Sequence, residues 1–306
     1  MGEAVRNGHF SNGRQRWLCR TCKRSFSWHN PVARSVREHQ WFRRWIVEGY
    51  SVRQLALQSG HSRQTLSRLI WRFLSQTSPP ATDPQPARHL IFDGTFLHGR
   101  RSIVALMDGK TYTVIRGRYD VPENSEPHLL TFFEPLLNQG LQPSSFTVDG
   151  NPKVIRVLRR LWPDAVIQRC LVHIQRQGLS WCRISPKTEH ARELRRIFLR
   201  VTSIRTGPER DALLESVAQW EAEYGGVVQA RPWRGRVIRD VKQARSMLLR
   251  ALPDMFHYLE DPGIPASTNG LEGYFSRLKS RYRQHRGLSP ERRSNYFDWY
   301  FHLVPR

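Results

Sequence analysis

Between residues 88 and 169, short apolar runs alternate first with tight turns and then with helical stretches. That order narrows the fold more than any other feature of the chain. The spacing predicts strands over 88–97, 101–107 and 111–119. The first two are separated by Gly99-Arg100 and the next two by Asp108-Gly109, a strong hairpin signal. A helix is predicted over 125–139, a strand over 144–149, a helix over 151–161 and a strand over 164–169. Hairpin-linked strands followed by alternating helix and strand imply an α/β fold, a mixed sheet flanked by helices.

Two of these strands end alike. Leu90-Ile91-Phe92 runs into Asp93-Gly94-Thr95, and Phe146-Thr147-Val148 runs into Asp149-Gly150-Asn151. An Asp at a strand tip can project into a cleft, and the following Gly lets the backbone turn away. A lone Asp-Gly is ordinarily a β-turn, and Asp108-Gly109 reads as one. The pair at the ends of buried strands reads instead as carboxylates for Mg²⁺ or Mn²⁺, ions that keep several waters and bind phosphate.

The charge around those acids points to the partner. The chain has 49 Lys and Arg against 26 Asp and Glu, a formal net charge of +23, and only six of the basic residues are Lys. Arg meets phosphate through a planar two-pronged fork, so the balance favours nucleic acid. With 39% hydrophobic residues and ten Trp, the chain is a folded protein and not a basic tail. No stretch approaches the roughly 18 apolar residues of a membrane span, and Met1-Gly2-Glu3-Ala4-Val5-Arg6 lacks the apolar core of a signal peptide. Four Cys, two of them in a CxxC, are not a secreted disulfide framework. The expectation is an intracellular, DNA-associated protein without a membrane partner, cytoplasmic if the source is bacterial.

Ahead of the sheet, residues 1–33 read as a partial zinc-ribbon-like segment. Cys19-Arg20-Thr21-Cys22 has the spacing of half a ribbon, and Trp17 and Phe26 fit a small hairpin around it. The ribbon's other half would lie roughly 15–20 residues upstream, before Met1. Zn²⁺ at Cys19 and Cys22 would therefore need His9 or His29 as substitutes, and the plainer reading is an incomplete ribbon without metal. Residues 34–75 read as three helices holding a helix-turn-helix, with Ser51 and Ser62 as N-caps and Gly60 in the turn. That arrangement leaves Arg63, Gln64, Ser67 and Arg68 outward at the start of the second helix, where a major-groove reader needs them. The plainer alternative is a helical hairpin with a solvated basic face. Residues 1–75 carry 14 Lys or Arg against 3 Asp or Glu, a balance that favours DNA. Residues 76–87, with four Pro, read as a linker to a domain over 88–306.

After residue 170 the pattern is helical, with an all-helical insertion at about 183–262 and a last helix over 268–285. Val237, Val241, Leu248, Leu252 and Phe256 predict a long helix that ends near Pro253 or kinks there. Glu272 admits two readings. It stands three residues after Asn269, which fits a capping pattern, and it shares a helix face with Lys279 and Arg283, which fits a metal ligand beside phosphate clamps. Cys170 and His173, three apart at the start of a helix, read as a polar pair beside the acids or as a buried structural pair.

Taken in order, these motifs resemble the Mutator-like DDE transposases of bacterial insertion sequences. The resemblance rests on Asp93-Gly94-Thr95, Thr147-Val148-Asp149-Gly150, Gln168-Arg169-Cys170-Leu171-Val172-His173 and Ser267-Thr268-Asn269-Gly270-Leu271-Glu272-Gly273. Leu278-Lys279 and His285-Arg286-Gly287-Leu288 fit it as well. It covers essentially the whole chain, and the missing first half of the ribbon is the departure. It implies an RNase H-like catalytic domain over 88–306 with an inserted helical domain, and Asp93, Asp149 and Glu272 as a metal-binding catalytic triad. It also implies Cys170, His173 and Asn269 beside the active site. The expected activity is binding of terminal inverted repeats, metal-dependent strand cleavage and 3′-hydroxyl transfer to target DNA by a homodimer or larger assembly. A non-catalytic helix-turn-helix regulator and a structure-specific nuclease are the rival readings.

Overall fold

The computed structural model describes residues 3–28, 31–79, 86–97, 101–230, 236–285 and 287–306. His29, the Gly99-Arg100 turn, Arg286 and residues 80–85 of the proline-rich segment lie outside them. The chain divides into two units, Met1–Phe73 and Leu74–Arg306.

In the first unit, β1 (Ala4–His9), β2 (Gln15–Cys19) and β3 (Ser25–Phe26) form a small antiparallel sheet in which Trp17 lies opposite Phe26. Cys19 and Cys22 are free thiols, and among the described residues no third His, Cys or carboxylate gathers with them. Three helices follow, α1 (Pro31–Glu48), α2 (Val52–Ser59) and α3 (Arg63–Leu74). Ser51 closes a capping box with Gln54, and Gly60 takes the left-handed conformation, φ +68°, that ends α2. The Ser62 hydroxyl accepts the Thr65 N–H at 3.1 Å, which starts α3. Phe42, Trp45, Ile46, Leu55, Leu66, Leu69 and Ile70 are buried. Arg63, Gln64 and Arg68 remain exposed, and Ser67 is half-buried.

The second unit is built on a five-stranded mixed sheet. Its strands are β4 (His89–Phe96), β5 (Ser102–Asp108), β6 (Val114–Tyr119), β7 (Ser145–Val148) and β8 (Val166–Arg169), in the order β6-β5-β4-β7-β8. β4 to β6 are antiparallel, and β4, β7 and β8 are parallel to one another. The parallel crossovers carry α4 (Glu126–Asn138) and α5 (Pro152–Leu161). Alternation along each strand decides what faces where. Leu90, Phe92, Phe146, Val148 and Ile167 join one core with Leu129, Phe132, Phe133, Val154 and Leu158 of the two helices. Ile91, Asp93, Thr147, Asp149 and Gln168 therefore belong to the opposite face.

A second core gathers the helices α6 (Leu171–Cys182), α7 (Glu189–Arg200), α8 (Gly207–Trp220), α9 (Gly226–Ala230) and α10 (Arg236–Ala251). α10 ends before Pro253, in a 3₁₀ turn over Leu252–Asp254. A Cβ on Gly178 would sit 2.3 Å from ring carbons of Phe198, which is fully buried, so α6 and α7 approach there only because the position is glycine. Gly178→Ala is therefore expected to destabilise the protein by about 1–2 kcal/mol, overpacking outweighing the helix-propensity gain. A lowered denaturation midpoint at unchanged slope checks this, and a raised midpoint would mean that Phe198 yields freely.

The chain closes with α11 (Asn269–Tyr282) and α12 (Pro290–Leu303). α11 is shorter than the predicted 268–285, with residues 283–285 in a 3₁₀ turn, and α12 was not anticipated. Tyr296, Phe297, Trp299, Tyr300 and Phe301 are all buried on α12, so the helix shows no apolar stripe at period 3.6. Its start signal was present, however: Ser289 caps it through the Arg292 N–H, with Pro290 at the first turn.

Candidate active site

Strand register brings the first two acids side by side. β4 and β7 pair as far as Ile91 with Thr147, and two residues further along each chain stand Asp93 and Asp149. Adjacent strands lie about 4.8 Å apart. Asp149 follows the end of β7 as expected of a strand tip, but Asp93 does not: β4 runs on through Gly94 to Phe96, held by its pairing with β5, so the sheet opens on the β7 side of Asp93. Asp93 is 7% exposed, and its Oδ1 accepts the Gly94 N–H at 2.9 Å. Asp149 Oδ1 accepts the Asn151 N–H at 2.9 Å, an Asx turn that Gly150 completes at φ +103°.

Long-range hydrogen bonds bring α11 to this edge. Thr147 Oγ1 donates to the Pro265 carbonyl at 2.6 Å, and the Leu171 N–H donates to Ala266 at 3.0 Å. Gln168 Nε2 donates to the Met255 carbonyl at 2.7 Å. These bonds fix the segment that leads into α11, whose first turn carries Glu272. Thr268, not Asn269, occupies the cap position, and the Glu272 side chain makes no capping bond. The expected cap thus fails: Glu272 lies one residue further into the helix, and its carboxylate is drawn to cations. Oε2 accepts from Arg176 Nη2 at 3.3 Å, and Oε1 lies 3.6 Å from His173 Nε2. Oε1 is also buried without a hydrogen-bond partner.

Ligand-capable atoms of Asp93, His173 and Glu272 all lie within 4.8 Å of one another. Asp149 stands outside that tight group, though its charge reaches it. Burial pushes the Asp93 carboxyl up to about 6, with Asp149 adding to the rise and His173 and the Gly94 N–H opposing it. Cys170 is fully buried, and its Sγ accepts the Thr268 N–H at 3.3 Å, while Thr268 Oγ1 lies 3.3 Å from His173 Nδ1. The hydrogen bond from His173 to Cys170 raises the imidazole to about 9 against the opposing effect of burial, helped by the charges of Cys170, Asp93 and Asp149. Burial raises the Cys170 thiol, but the His173 hydrogen bond and charge outweigh it, so the net direction is down. Lys279 Nζ donates to Thr95 Oγ1, and Lys279 lines the same cleft of about 350 Å³ as Asp93 and Glu272. Arg283 is exposed in the turn after α11, and Asn269 is exposed on its first turn.

A fourth acid escaped the sequence reading. Glu123 lies in the loop before α4, tied down by Asn151 Nδ2, which donates to its carbonyl at 3.2 Å. Its carboxylate lies over Gly94, where a Cβ would come within 1.9 Å of Oε1. Burial first, and then the charges of Asp149 and Asp93, raise its carboxyl to about 8. Nothing in Pro122-Glu123-Asn124 announces this, because only the tertiary fold brings the loop over Gly94 and beside Asp149. Arg176 was legible in principle, one helical turn beyond His173 on the same face. Thr268 stood unremarked within a quoted motif.

These donors fit a hard divalent cation. Buried carboxyls that hold protons above their ordinary range, and an unpartnered buried oxygen on Glu272, are groups that a cation would relieve.

The transposase for insertion sequence element IS905 of Lactococcus lactis subsp. lactis (strain IL1403) is 25% identical over 150 residues, which cover 46% of this chain. The match spans only 38% of that protein's length. The sequence model described as Transposase, Mutator family, matches residues 107–294, which run from β5 through α11 into α12. The chain therefore belongs to the Mutator family of transposases.

Proposed function

We propose that this chain is a DNA transposase with an RNase H-like DDE core, acting on the ends of its own insertion sequence. The observation that carries the reading is the convergence of Asp93, within β4, with Glu272 on α11, beside Asp149 just past the end of the adjacent strand β7. Asp93, Asp149 and Glu272 would hold Mg²⁺ or Mn²⁺, with Glu123 as a fourth carboxylate at hand. The bound ions would supply Lewis-acid activation of a water or 3′-hydroxyl and stabilisation of the departing oxygen.

The remaining roles belong to the chain's own groups. Lys279, steadied by Thr95, and Arg176 present positive charge at the cleft, where it would meet phosphoryl oxygens as they gain charge. His173, Cys170 and Thr268 form a linked set that holds a proton and a positive charge beside Asp93. Helix α3 would read DNA through Arg63, Gln64, Ser67 and Arg68, and the exposed basic start of that helix supports this role. Two element ends must be held together, so a homodimer or larger assembly on DNA is expected. Among the described residues no helix is long and apolar enough to cross a membrane.

The test is a DNA fragment carrying the sequences that bound the gene, incubated with protein and Mg²⁺ or Mn²⁺. Release of 3′-hydroxyl ends, and joining of precut ends to a second duplex, are expected. Cleavage without joining would identify a structure-specific nuclease. Binding with neither product would identify a regulator that has lost catalysis.

A further inference from the structure

Behind the Asp149 loop lies a cleft that the catalytic reading leaves unused. Its volume is about 610 Å³, and Gly150, α5, the end of β8 and α10 wall it. Four arginines line it, Arg156, Arg159, Arg169 and Arg250, against a single acid, Asp254. Arg159 Nη2 spends its bonds on that acid, at 3.1 and 3.3 Å, and Arg156 pairs with Glu126 of α4. The other two guanidiniums form no ion pair among the described residues. Arg169 is 8% exposed, its Nη2 reaches only the Asp149 carbonyl at 3.4 Å, and its Nε has no hydrogen-bond partner. Arg250 is exposed, and its Nε donates to the Ser246 carbonyl at 3.0 Å.

We infer that this cleft is a phosphate-binding subsite that grips the backbone of a DNA strand next to the Asp149 loop. The inference rests on the transposase reading and deepens it. Arg169 is the reason for placing an anion here. Asp149 and Asp254 partly balance the charge of this buried guanidinium and Arg250 opposes it, but its Nε still lacks an acceptor, and an anion in the cleft would supply one. Gly150 serves the same arrangement: a Cβ there would fall within 1.9 Å of the Arg169 guanidinium, so glycine is what admits it. The cleft is larger than a lone phosphate requires. Ile155, Met247 and Pro152 give it an apolar wall suited to a sugar or base, which favours a phosphodiester over a free ion. The loop that presents Asp149 to one side carries Gly150 in the wall of this cleft. A strand held here would be fixed in register with the acids.

The experiment measures binding of the full chain to a short fluorescent duplex of arbitrary sequence, as a function of KCl and with EDTA present so that cleavage is silent. Arg250→Gln is expected to flatten the plot of log affinity against log salt by about 0.9, the loss of roughly one phosphate contact. Arg250→Lys is expected to keep the wild-type slope with weaker binding, since charge stays and the fork is lost. Arg192→Gln, an exposed position on α7 that pairs with Glu189, is expected to leave the slope unchanged. A wild-type slope in Arg250→Gln overturns the subsite, as does an equal flattening in Arg192→Gln, which would reduce the effect to net charge. Competition by inorganic phosphate beyond that of chloride at equal ionic strength, lost in Arg250→Gln, would assign the cleft to a free anion and overturn the strand reading. No duplex binding by the wild type would instead sink the transposase reading, and the subsite with it.

Discussion

Asp149→Asn is expected to abolish metal-dependent strand cleavage while leaving DNA binding intact. The substitution suits the site because the asparagine Oδ1 can still accept the Asn151 N–H, so the Asx turn and the Gly150 bend survive. Only the charge is lost. A lost metal-binding carboxylate is expected to cost about 4 kcal/mol of transition-state stabilisation, a fall of roughly 10³-fold in single-turnover rate. Removing a like charge also lowers the proton affinity of Asp93 and Glu123, both of which Asp149 raises. Affinity for duplex DNA should hold or improve, since a negative group leaves a basic surface. Equal cleavage by wild type and variant, under conditions where cleavage needs Mg²⁺, would remove Asp149 from the catalytic set.

The sheet was legible in the sequence because its signals are local. Leu90-Ile91-Phe92 and Phe146-Thr147-Val148 are the short apolar runs of buried strands, and Gly150 marks where the chain turns away after β7, whereas Gly94 stays within β4. The caps at Ser51 and Ser62 were legible for the same reason, being bonds across three residues. What escaped was decided at long range. Glu123 joins the acids through a loop that Asn151 ties down, and the entry to α11 depends on Thr147 bonding a carbonyl 118 residues away. Glu272 illustrates the boundary. Its spacing from Asn269 and its spacing from Lys279 gave two compatible readings, and only the tertiary positions of His173 and Arg176 show which partners its carboxylate meets. α12 escaped for a different reason, since a helix buried on nearly all sides carries no periodic stripe.

Cation affinity should rise steeply with pH. Without metal, the Asp93 carboxyl holds its proton up to about 6 and the Glu123 carboxyl up to about 8. A cation that takes both carboxylates must displace two protons below pH 6, one between 6 and 8, and neither above. Log affinity plotted against pH should therefore climb with a slope near two, then near one, before it levels, giving roughly a hundredfold gain between pH 6 and 8 by proton linkage. His173, protonated up to about 9, adds a further rise if its charge is expelled on binding. Stability of the metal-free protein moves the other way. A carboxyl whose folded value is raised costs nothing below its unfolded value near 4 and exacts its full cost above 6. Asp93→Asn should thus stabilise the metal-free protein at pH 8 by up to about 3 kcal/mol. Mn²⁺ titrations by calorimetry, in buffers of differing ionisation heat, count the protons released. Glu123→Gln should remove the gain between pH 6 and 8 and cut the slope below pH 6 from two to one, because only Asp93 still releases a proton there. An affinity that does not vary with pH would mean that neither carboxylate meets the ion.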